Sequence, residues 1–188
     1  FLILRFCEFI GELESFFDNL TSPLEQIAGS FQNSYNQLQS AGVSQRSDLE
    51  ITTSYQPSDV DRYFDELTNA QSPVDNPNQT NPLTVVAEAM QSGQSNVDLS
   101  PYISQHQTAI ERMQTITVPD RFAEPHLETL QSLEKMLFAL QKLNRMEVDP
   151  IGSVVGIQEY KKGIQQNQQA ARLLSEEINN YNQYVQEN

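Results

Sequence analysis

GIQEYKKGIQQNQQAARLLSEEINNYNQYV, residues 156–185, decides the fold class. Within and just beside it, Ile157, Tyr160, Ile164, Asn167, Ala171, Leu174, Ile178, Tyr181 and Val185 recur in alternating steps of three and four. An α-helix turns once in 3.6 residues, so this spacing keeps one face aligned along the whole segment. The result is a heptad-like seam ~50 Å long at 1.5 Å per residue. Asp149-Pro150, just upstream, caps the helix.

Working back from this helix, the same pattern repeats. Leu127, Leu130, Leu133, Leu137 and Leu140 form the inner face of a helix over about Glu124 to Asn144. Val118-Pro119 turns the chain. Ser100-Pro101 starts a further helix whose inner face is Tyr102, Ile103, His106, Ile110, Met113 and Ile116. Short connections between long amphipathic helices place neighbours antiparallel. The expectation is therefore an all-α protein, an antiparallel up-down helical bundle over residues 83–188. A short helix from Pro82 to Gln91, ended by Gly93, leads into it.

Residues 71–82 read as a linker, because three prolines and three asparagines in twelve residues do not hold a helix. Before them, residues 1–70 divide into an arm and helices. The arm, Phe1 to Leu20, is the most aromatic stretch and places Phe6, Phe9, Ile10, Leu13, Phe16 and Phe17 at helical spacing. Such a stripe packs either on its own chain or, as an assembly interface, on a neighbouring subunit. Ser22-Pro23-Leu24-Glu25 is a capping box that opens a helix to about Ser40. Residues 43–57 are irregular; Leu49, Ile51, Thr53 and Tyr55 alternate like a strand, but no partner strand is evident. Ser58 and Asp61 cap one more helix, with Val60, Phe64 and Leu67 inward.

Composition narrows the function. The net charge is −14 and the sequence pI about 4.4. Such a chain repels phosphate backbones and anionic membrane surfaces, and Lys161-Lys162 is its largest basic run, so nucleic acid is not an expected partner. Roughly a fifth of the residues are Gln or Asn, well above ordinary usage, which keeps helix surfaces wet without charge. Cys7 is the only cysteine, so no intrachain disulfide forms. Phe1-Leu2-Ile3-Leu4 reads as the end of an apolar segment, so membrane contact is expected only through residues upstream of Phe1.

Neither histidine has the Glu-x-x-His spacing of di-iron bundles. No His-Glu-x-x-His zinc helix, Gly-x-Ser-x-Gly elbow or Gly-rich phosphate loop occurs. Asp59, Asp61, Asp65 and Glu66 lack the spacing of a calcium loop and suit a solvated helix start. His106 and Met113 share one helix face and His126 opens the next helix, so these three are the ligand candidates if the bundle holds haem or a metal. The plainer reading makes His106 a core-edge residue and His126 a hydrogen-bonded first-turn residue. Gly152-Ser-Val-Val-Gly156 has the spacing that lets helices approach closely.

Thr117-Val118-Pro119, Phe122, His126-Leu127, Leu130, Leu133 and Asp149-Pro150, followed by a Tyr-bearing helix, resemble a pattern found in uncharacterised exported helical-bundle proteins of bacteria. The resemblance covers residues ~100–185 and implies an extracytoplasmic location, with no activity attached. Phe1 and the apolar N-terminus are also similar to type IV pilin-like subunits, although Arg5 stands where that family carries glutamate. The combined expectation is a non-catalytic extracytoplasmic structural or interaction module, a surface or filament component without a cofactor, that binds a protein partner or self-assembles. The alternative is a helical bundle that binds a small molecule, haem or metal.

Overall fold

Each helix carries one apolar stripe, and the fold is the arrangement that buries those stripes together. The computed structural model describes residues 43–75, 79–94 and 96–187. The arm of residues 1–20 and the helix of residues 23–40 lie outside the described residues. Ser44–Asn188 make one compact unit. It runs through a 3-10 turn Arg46–Asp48, strand β1 Glu50–Thr52, and helices α1 Pro57–Gln71, α2 Pro82–Gln91 and α3 Ser100–Gln114. Strand β2 Thr117–Pro119, a 3-10 turn Asp120–Phe122, α4 Ala123–Leu143 and α5 Pro150–Glu187 complete it.

The expected predominance of helix holds, and the helix boundaries follow local chemistry. Proline occupies the first turn of α1, α2 and α3, where its missing N–H costs nothing. Asn81 caps α2 by accepting from the Leu83 N–H at 2.9 Å, and Gly93 closes it at φ +71°. At the start of α5 the Asp149 carboxylate accepts from the Gly152 N–H at 2.8 Å.

Helices α4 and α5 share the largest contact. Ser153 donates to the Lys142 carbonyl at 3.2 Å, Lys135 donates to Gln166 at 2.8 Å, and Phe122 meets Tyr181 edge-on at 6.2 Å. From Lys142 to Lys135 and on to Phe122, just before α4, the partners move back along the chain as those on α5 move forward. The seam itself differs from the expected one. Ser153, Gly156, Tyr160, Gly163 and Ala170 are buried, whereas Asn167, Ala171 and Val185 are exposed. Small residues every seven positions, at 156, 163 and 170, let the two backbones approach. A Cβ on Gly156 would sit 3.0 Å from the Ala139 carbonyl, and one on Gly163 would sit 2.5 Å from Met136 Cγ. Hydrophobic spacing alone pointed to Ile164 and Ala171 because it favours large side chains, and close packing favours small ones. Of the Gly152/Gly156 pair, only Gly156 faces α4; Gly152 is crowded by Asp149.

Two expectations for the first half are corrected. The alternating segment does have a strand partner. Ile51 of β1 pairs in parallel with Val118 of β2, the segment read as a turn. Proline restricts the residue before it to extended backbone, so Val118 is already shaped as a strand. Nor does the 71–82 segment separate a 1–70 half from an 83–188 bundle among the described residues. Tyr63 of α1 stacks on Phe122 with ring centroids 5.4 Å apart, and Arg112 of α3 donates to the Asn69 carbonyl of α1 at 3.0 Å. The described residues on either side of this stretch belong to one unit. Tyr63, not Phe64, is the fully buried aromatic of α1.

Candidate functional site

Two polar centres lie inside this unit, one around each histidine. The first is built where α1, α3 and α4 meet. His126 sits in the first turn of α4 and is 1% exposed. Its Nε2 lies 3.2 Å from the Met113 carbonyl and its Nδ1 lies 3.3 Å from the Tyr63 hydroxyl. A carbonyl only accepts, so Nε2 carries the proton and donates to it, while Nδ1 accepts from the tyrosine. Burial lowers the His126 pKa to about 4, opposed by the bond to the Met113 carbonyl. The ring is therefore neutral, and burial likewise raises the Tyr63 phenol pKa. Tyr63, Phe64 and Phe122 pack as one aromatic cluster beside it, with Phe64 edge-on to Phe122 at 5.2 Å.

The second centre is a cavity of about 290 Å³, lined by Gln71, Val74, Asp75, His106, Thr129, Leu133, Met136, Tyr160 and Asn167. His106 is 5% exposed and its Nδ1 bonds the Tyr102 carbonyl, one turn back on α3, at 2.9 Å. Burial lowers its pKa, against the effect of that bond. The Tyr160 ring stands 6.4 Å away at 56°.

The three ligand candidates are thus distributed in a specific way. His126 does reach Met113, but at the backbone carbonyl. His106 pairs with Tyr160 instead. Both nitrogens of His126 hold protein partners, so metal binding there would break a hydrogen bond within the core. Among the described residues, no three His, Cys, Asp or Glu side chains converge into a metal-binding group. The assembly-interface residues Phe6, Phe9, Ile10, Leu13, Phe16 and Phe17 lie outside the described residues.

Sequence reasoning missed Tyr63 and the role of Arg121. Tyr63 falls three residues after Val60 and four before Leu67, so helical spacing alone could have placed it inward. Arg121 joins the β2 end to α5, with Nε 3.6 Å from the Glu177 carboxylate and the guanidinium 5.5 Å from the Tyr181 ring centre. Its partners lie about sixty residues away, and no local signal announces them. Burial and then the Asp120 charge raise the pKa of nearby Tyr55.

Among the described residues no helix is long and apolar enough to cross a membrane. No family model matches the chain, and neither the curated proteins nor the solved structures contain a significant match to it.

Proposed function

We propose that the chain is a non-catalytic structural module that acts outside the cytoplasm, a component of a bacterial surface or filament assembly. In this reading α1 to α5 form an antiparallel up-down bundle, and the aromatic arm of residues 1–20 is buried by a neighbouring copy of the chain. The observation that supports it is the use made of His126. The most reactive type of side chain available at neutral pH has both nitrogens committed to holding α1, α3 and α4 together. A bundle built this way is a rigid support, and the apolar stripe of Phe6, Phe9, Ile10, Leu13, Phe16 and Phe17 is the part suited to association. The resemblance over residues ~100–185 supports the exported location.

Cys7, the only cysteine, lies within this stripe and offers one site for a nitroxide label. Labelled chains are expected to show spin–spin coupling that disappears on dilution with unlabelled chain. Uncoupled spectra at every concentration would count against burial of the arm in a second copy.

A further inference from the structure

The cavity between α1, α3, α4 and α5 plays no part in the assembly reading and is argued independently of it. Three polar side chains of its wall are more than nine-tenths buried, His106, Thr129 and Tyr160, and Thr129 already donates to the Pro125 carbonyl at 2.8 Å. The Nδ1–H of His106 is directed to the Tyr102 carbonyl at 2.9 Å, so Nε2 carries a lone pair and acts only as an acceptor. Tyr160 makes no hydrogen bond among the described residues, so its phenol keeps an unused donor. Neither atom is buried without a partner, so water reaches both in the partly open cavity, and an acceptor and a donor facing one cavity offer complementary contacts to a guest that displaces that water.

The walls define the guest. Val74, Leu133 and Met136 supply apolar surface, and the two tilted rings of His106 and Tyr160 supply aromatic faces. The Asp75 carboxylate and the net charge of −14 oppose an anion. A volume of about 290 Å³ lies at the bottom of the usual range for organic ligands and accommodates a single ring with its substituent. One hydroxyl group can accept from the Tyr160 O–H and donate to His106 Nε2 at the same time. We infer that this cavity binds a small uncharged aromatic alcohol, with its hydroxyl between His106 and Tyr160 and its ring against Leu133 and Met136.

The test uses the full chain and two probes, phenol and benzene, which differ by the hydroxyl. The chain contains two histidines, so imidazole proton resonances report on the cavity through His106, and His126 serves as an internal control. Phenol is expected to move the His106 resonance saturably and leave that of His126 in place. Benzene is expected to bind about five- to a hundredfold more weakly, the fold-change for two hydrogen bonds. Tyr160→Phe should bring phenol down toward the benzene value. Equal midpoints for phenol and benzene on the unmodified chain would overturn the inference. So would a His106 resonance that does not respond up to the solubility limit, or one that moves only together with His126.

Discussion

Acidifying the protein examines the His126 junction directly. The folded ring has a pKa of about 4, and an unfolded histidine titrates near pH 6.5. Between these values the unfolded chain binds a proton that the folded ring refuses. The contribution of His126 is therefore intact above pH 6.5 and is lost as pH falls toward 4. Linkage with these two values gives a loss of roughly 2.5 kcal/mol between pH 7.5 and pH 4.5. Carboxylates titrate in the same range, so the comparison needs a variant. His126→Gln keeps an amide donor for the Met113 carbonyl and has no titrating ring. It should be less stable than the unmodified chain at pH 7.5 by about 1–3 kcal/mol, through the lost packing and the orphaned Tyr63 hydroxyl. Urea unfolding followed by circular dichroism at both pH values gives the gap between the two proteins. The gap should shrink or reverse by about 2.5 kcal/mol at pH 4.5. A gap that stays constant across that range, or a His126 titration midpoint near pH 6.5, would refute the neutral, doubly bonded imidazole.

Gly163→Ala places a Cβ 2.5 Å from Met136 Cγ and 3.1 Å from the Ser132 carbonyl. Overpacking should outweigh the gain in helix propensity, for a net loss of about 1–2 kcal/mol in denaturant unfolding. Ser44 donates to the Glu134 carboxylate through its backbone N–H at 2.9 Å and its hydroxyl at 2.6 Å. Glu134→Ala should cost about 1.5–3 kcal/mol and raise amide exchange in β1, as read by hydrogen exchange. Tyr63→Phe removes the donor to His126 Nδ1 and should cost about 1 kcal/mol at pH 7.5, with Phe122 stacking retained.

Local signals in the sequence were legible where the physics is local. Proline and Asn81 start α2 and Gly93 ends it, as their backbone preferences require. Leu130, Leu133 and Leu140 are buried on α4 as their spacing implied. What escaped reading depends on partners distant in sequence. Val118 is extended because of Pro119, but its pairing with Ile51 spans almost seventy residues. The α4–α5 seam runs over Gly156, Gly163 and Ala170 because the helices approach closely, and hydrophobic spacing does not register glycine as an interface residue. The centre at His126 was half legible. Its place at a helix start implied a hydrogen bond, and the reach to Met113 followed from packing α3 on α4. Tyr63, from the other side of the proline-rich stretch, was not foreseen.

In the proposed function the aromatic stripe of residues 1–20 joins one copy of the chain to another. Sedimentation equilibrium of the full chain over a range of concentrations tests it most directly, beside a full-length variant carrying Phe9→Asp and Phe16→Asp. Self-association through this stripe gives an average mass that rises with concentration above the 21.4 kDa monomer, and a variant that remains monomeric with unchanged helicity. Two proteins that both sediment as 21.4 kDa monomers at every concentration would contradict it.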